Sequence, residues 1–155
     1  MTAWIKVPGK VIRGHGVASG QGGDLRFPGG TIRLQQSVFA GRGLDLSQFF
    51  LGTVNVSIRP HCYQVKQAKY TFRQVNWAEN TPPEDFSFFD CRVVLEQGQR
   101  VHGLIYYPHP ETKPEHFQDS ATLEVLTEFI DNLGYGSRLG LELNPEQMQI
   151  IFSGC

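Results

Sequence analysis

Three stretches of this sequence combine residue types and spacings that could do chemistry. The first is Gly9-Lys-Val-Ile-Arg-Gly14-His-Gly16-Val-Ala-Ser-Gly20-Gln-Gly22-Gly23. Glycines permit positive φ and let a ligand approach the backbone closely. Successive backbone N–H groups in such a loop can form a concave anion site, and Lys10, Arg13 and His15 would add positive charge. The Gly-Lys-Ser/Thr ending of a P-loop is missing, and no helix obviously follows as a dinucleotide fingerprint requires. The alternative is a connecting loop with no ligand.

The second stretch is Leu51-Gly-Thr53-Val-Asn55-Val56. Residues two apart on a strand point to the same side. Thr53 and Asn55 therefore present two neutral oxygens together, opposite Val54 and Val56. Oxygen donors suit Mg²⁺, which keeps water and substrate phosphates for its remaining positions. An ordinary solvent-facing pair on a half-buried strand is the plainer reading.

The third is residues 120–133, which the spacing predicts as a helix. Ser120 can cap it; Leu123, Leu126, Phe129, Ile130 and Leu133 form the apolar stripe, and Gly134 stands at the stop. Glu124 and Glu128 are then four apart, off that stripe. Glu124 would sit in the first turns, near the positive end of the helix dipole. A carboxylate there can orient a hydroxyl nucleophile or act as its base, or it can simply belong to a solvated face. The aromatics of residues 84–90, with Trp77 nearby, could sandwich a flat ring but read more simply as core. His15, His61, His102, His109 and His116 show no metal-ligand spacing.

The elements that must position these residues are mostly strands. Residues 10–13 read as a strand end and 14–30 as a long loop. Residues 31–39 are ambiguous between strand and helix, and Asp45 caps one helical turn over 45–50. Residues 53–58 form the cleanest strand, by strict alternation. Residues 63–75 read as another. Residues 88–96 and 100–107 form a hairpin turned by Gln97-Gly98-Gln99. Residues 139–143 and 148–152 close the chain as strands. This pattern does not read as βαβ units. It predicts a mainly β fold, one domain over residues 1–155, closed or nearly closed into a small six-stranded barrel with one α-helix in its C-terminal half.

Composition narrows the function classes. With 155 residues the chain can bury a core without staples. The formal net charge of -1 provides no global field for nucleic acid or an anionic membrane. Any anion must be held by local geometry. Cys62, Cys91 and Cys155 are odd in number and contain no CxxC pair, so three reduced thiols are expected. The N-terminal apolar stretch is too short for a signal peptide, and no run of roughly 18 apolar residues occurs. The cytoplasm is the default compartment. Oligomeric state is not legible.

Taken together, these segments resemble the archaeal-type, CTP-dependent riboflavin kinases. That family opens with Gly-x-Val-x-x-Gly-x-Gly, as in Gly9-Lys-Val11-Ile-Arg-Gly14-His-Gly16. Its Gly-Thr-Leu-Asn strand is matched by Gly52-Thr53-Val54-Asn55. Its Gly-hydrophobic-hydrophobic-x-Pro segment is similar to Gly103-Leu-Ile-Tyr-Tyr-Pro108, and its Glu-bearing helix to Leu123-Glu124-Val125-Leu126. The resemblance implies a cradle-loop barrel, CTP as phosphate donor, Mg²⁺, riboflavin as acceptor, and FMN plus CDP as products. By position, Gly14 and Gly16, with Lys10 and His15 alongside, would line the nucleotide loop. Thr53 and Asn55 would hold the metal and phosphates. Glu124 would sit by the ribityl hydroxyl. Where the family has Asp-Gly-Asp before its last strands, this chain has Tyr135-Gly136-Ser137, and residues 59–83 align poorly. Two alternatives stand beside the kinase: a non-catalytic nucleotide- or flavin-binding module, and an enzyme of another class acting on a different small metabolite.

Overall fold

A computed structural model describes residues 3–13, 31–50, 52–79, 82–112 and 119–155. The residues form nine strands and one α-helix: β1 (Ile5–Ile12), α1 (Thr31–Gly41), β2 (Val54–Ser57), β3 (Cys62–Val65), β4 (Tyr70–Val75), β5 (Glu84–Val94), β6 (Arg100–Pro108), β7 (Thr122–Thr127), β8 (Arg138–Leu143) and β9 (Met148–Ile151). A 3₁₀ turn spans Pro110–Thr112.

Six of the strands close a barrel, in the order β1-β2-β7-β6-β5-β8 and back to β1, with every neighbour antiparallel. Closure leaves no free edge among these six. Strand β5 is long enough to serve two roles. Its Cys91–Val94 end pairs with β8, while its opposite end pairs with β4 beyond the barrel. Strands β3 and β9 form a separate ribbon.

Alternation sorts the strand residues into two cores. Val7, Val11, Val56, Cys91, Val93, Ile105, Leu123, Val125, Leu141 and Leu143 fill the inside of the barrel. Phe86, Phe88, Leu104, Tyr106 and Leu126 face outward and form a second core beneath α1. Helix α1 supplies Ile32 and Phe39, and the 44–49 turn adds Leu44, Leu46 and Phe49. Gln35, on the same helix face, is 2% exposed and accepts a 2.7 Å hydrogen bond from the Tyr106 hydroxyl. Asp45 Oδ1 accepts from the Ser47 N–H at 2.9 Å, making residues 45–50 a capped turn rather than a helical one.

Two glycines answer specific demands. Gly98 turns the β5–β6 hairpin at φ +93°, a conformation that side chains resist. Gly103 lies where a Cβ would come 2.7 Å from the Leu126 carbonyl oxygen, so only glycine lets β6 and β7 approach this closely.

Three expectations from the sequence are corrected. The helix lies at Thr31–Gly41, in the stretch read as ambiguous, and not in the C-terminal half. Residues 120–133 form strand β7 and a following loop instead. Leu123 faces the barrel and Leu126 faces the outer core, on opposite sides of one strand. With both faces buried, β7 loses the alternation of a half-exposed strand and imitates helical spacing. Phe129, expected in the stripe, is 67% exposed. The expected strand over 63–75 is two strands in different sheets. The chain breaks at Lys66 and Gln67, whose N–H groups both bond the Gln147 carbonyl. Cys62 and Cys155 form a disulfide across 93 residues, leaving only Cys91 free. Pairing of Cys62 with Ile151 in the β3–β9 ribbon brings the C-terminal tail to it, a juxtaposition that linear spacing does not contain.

Candidate functional site

The site is assembled where β1, β2, β7 and β6 lie side by side. Their ladder places Ile12 opposite Asn55, Asn55 opposite Glu124, and Glu124 opposite Tyr106. Opposed residues in antiparallel strands share a face. This row is therefore on the outside of the barrel, beside the core under α1. Thr53, just before β2, donates from its hydroxyl to Glu124 Oε1 at 3.0 Å. Thr53 and Asn55 are half-buried, and Glu124 is 8% exposed. Three oxygen-bearing side chains from segments about 70 residues apart thus meet on one small patch.

Glu124 gains this position differently from the expectation. It lies on a strand, so no helix dipole acts on it. The strand places it directly across from Asn55, a closer relationship than a separate helix would supply.

Lys10 is exposed on the same outer face, opposite Ser57 on one side and Arg138 on the other. It lies one outward position along β1 from the Ile12–Asn55 pair. Arg13 carries its guanidinium 5.0 Å from the centre of the Tyr135 ring. Gly14, His15 and Gly16 lie outside the described residues, as does most of the glycine-rich stretch.

The donors suit a hard cation. A hydroxyl, an amide oxygen and a carboxylate are the ligand types magnesium accepts, with water or phosphate completing its shell. Among the described residues no group of three or more His, Cys, Asp or Glu forms a metal cluster. A cation here would rely on the Thr53 hydroxyl and the Asn55 amide oxygen, with the Glu124 carboxylate beside them.

Two other polar constellations carry no signal in the sequence. A cleft of about 390 Å³ is lined by Tyr63, Gln64, Val65, Tyr107 and Ser120. Burial raises the Tyr63 hydroxyl well above the ordinary tyrosine range, and Tyr107 and Glu124 add to the effect. Farther along, Ser87 Oγ lies 2.9 Å from Thr71 Oγ1 and 2.6 Å from His109 Nε2, while His109 Nδ1 is 3.0 Å from Glu111 Oε1. Ser87 is only 2% exposed. That burial suits a chain of hydrogen bonds tying β4, β5 and the 3₁₀ turn together better than a nucleophile. The aromatics of residues 84–90 are core, as expected: Phe86, Phe88 and Phe89 are each at most 2% exposed. Trp77 donates from Nε1 to Glu84 at 2.8 Å.

No protein-family model matches the chain, and no curated protein matches it. Among the described residues no helix is long and apolar enough to cross a membrane.

Proposed function

We propose that this barrel is a Mg²⁺-dependent phosphotransferase that moves the terminal phosphate of CTP to riboflavin, giving FMN and CDP. The observation that carries the reading is the convergence of Thr53, Asn55 and Glu124, with Thr53 Oγ1 3.0 Å from Glu124 Oε1 and Asn55 opposite Glu124 in the ladder. These same residues sit at the positions where the chain resembles that kinase family.

Phosphoryl transfer asks little covalent work of a protein. It asks for positioning and for neutral balance around the phosphates. Glu124 accepts the proton of the ribityl hydroxyl as that oxygen attacks the terminal phosphorus and the bond to the bridging oxygen of CDP breaks. Thr53 holds the Glu124 carboxylate in place, and Asn55 offers its amide oxygen beside it. Magnesium bound here would neutralise charge on the transferring phosphate. Lys10, with Gly14, His15 and Gly16, is the proposed phosphate-binding side, in keeping with a chain whose net charge is -1.

The test is direct. Purified protein given riboflavin, CTP and Mg²⁺ should form FMN, faster with CTP than with ATP, and chelating the metal should stop it. Tyr135-Gly136-Ser137, lacking the family's two acids, favours a second reading: a module that binds CTP or riboflavin without turnover. Binding of either with no FMN formed selects that module. Binding of neither removes both readings and leaves an enzyme of another class.

A further inference from the structure

Two phenylalanines stand in water at the place where β2 and β7 part. Phe50 is 49% exposed and Phe129 is 67% exposed. Their ring centroids are 5.7 Å apart, with planes tilted by 48°. Neither ring belongs to the barrel core or the outer core, unlike Phe39, Phe49, Phe86, Phe88 and Phe89. Contiguous exposed apolar side chains can mark a binding surface.

Their location relates them to the site. The Phe50 N–H donates to the Thr127 carbonyl at 2.9 Å, and the Gly52 N–H donates to the Phe50 carbonyl at 2.9 Å. Phe50 is therefore fastened three residues before Thr53, at most about 10 Å of chain away. Phe129 follows the strand that carries Glu124. One ligand can reach the rings with its flat part and the Thr53–Glu124 pair with its polar arm.

We propose that Phe50 and Phe129 form the shelf on which the isoalloxazine ring of the acceptor flavin lies, its ribityl arm running back to Glu124. This rests on the phosphotransferase reading for the identity of the acceptor. With their planes tilted by 48°, one ring can stack face-on against a fused tricyclic system while the other borders its edge, whereas a single pyrimidine would meet only one of them.

Quenching of riboflavin fluorescence on binding, measured without CTP or Mg²⁺, tests the shelf independently of turnover. Phe50→Ala and Phe129→Ala should each weaken riboflavin binding about 5- to 150-fold, the range for losing one stacking platform. Phe129→Tyr should retain it. Thermal melts of each variant should match the wild type, because both side chains lie outside the cores. CTP affinity should stay unchanged across the series. If CTP binding weakens and riboflavin binding does not, the shelf holds the nucleobase and the proposal is overturned. FMN formation with a riboflavin KM indifferent to both alanine variants sinks the shelf and leaves the kinase reading standing. Shelf-dependent riboflavin binding with no FMN formed does the reverse. No riboflavin binding by the wild type ends both.

Discussion

The Thr53 hydroxyl donates a 3.0 Å hydrogen bond to Glu124 Oε1, joining two residues 71 positions apart. Neither neighbour is accidental. Thr53 enters β2 next to Asn55, and Asn55 is the ladder partner of Glu124. A single register therefore sets three side chains at once. A slip of one residue would turn Glu124 into the barrel and bring Leu123 or Val125 out.

Glu124→Gln is the sharpest test of that triad. Glutamine keeps the size and an oxygen for Thr53, so the fold should hold. It cannot take a proton. FMN formation should fall by about 10²- to 10⁴-fold, the usual contribution of a general base, while riboflavin and CTP still bind. A rate within twofold of the wild type would remove Glu124 from the chemistry.

Asn55→Ala removes an amide oxygen from a half-buried position outside both cores. Turnover should drop strongly and the Mg²⁺ concentration needed for half-maximal rate should rise. The melting temperature should move by no more than a small surface change produces, about 0.5 kcal/mol in stability. Loss of rate with an unchanged Mg²⁺ dependence would assign Asn55 to orientation rather than metal binding.

Strand β7 gives a stability test that separates it from the helix its sequence imitates. Leu126 is completely buried under α1, whereas Phe129 is 67% exposed. Leu126→Ala should cost about 2–5 kcal/mol, and Phe129→Ala close to nothing. A helix over 120–133 would have made both substitutions expensive. Chemical denaturation of the two variants gives the comparison directly.

These elements also explain what the sequence could and could not reveal. Strand β2 was legible because one of its faces is wetter than the other, so Val54 and Val56 alternate with Asn55 and Ser57. The β5–β6 hairpin was legible through Gly98, whose positive φ the turn requires. Strand β7 was not, because Leu123 and Leu126 are buried on opposite faces by two different cores. Helix α1 was ambiguous because Gln35 interrupts its apolar stripe; the Tyr106 hydroxyl that satisfies it is 71 residues away. Thr53, Asn55 and Glu124 could be chosen by residue type, but the contact between Thr53 and Glu124 depends on strand order, which no local pattern encodes. The Cys62–Cys155 link is nonlocal in the same way.

That disulfide closes a loop of 93 residues. Constraining the unfolded chain over such a length should stabilise the fold by about 2–4 kcal/mol. Reduction, or Cys155→Ser, should lower the melting temperature without changing the secondary structure, since the barrel strands close on one another independently of the tail. Identical melts with and without a thiol reductant would mean the link contributes nothing.

Acid sensitivity should trace in part to Glu142. Arg100 holds this carboxylate with hydrogen bonds of 2.9 and 3.3 Å. Arg92 Nε lies 3.0 Å from the same group without hydrogen-bond alignment, its guanidinium 4.1 Å from the Trp4 ring centre. The hydrogen bond from Arg100 is the largest influence and holds the Glu142 carboxyl below its ordinary value of 4.5; burial opposes it, and the charges of Arg92, Arg100 and Lys6 add to the lowering. A carboxylate depressed in the folded state binds its proton more readily when unfolded. Its stabilising contribution is therefore complete above pH 4.5 and disappears as pH falls through the lower, folded value. Melting temperatures from pH 6 to pH 3 should decline in the wild type, and Glu142→Gln should flatten the decline below about pH 4.5 while lowering the plateau at pH 6. Asp85, also depressed, chiefly by the Gln74 N–H, should remain as the residual slope. Superimposable profiles for wild type and Glu142→Gln would place the acid sensitivity elsewhere.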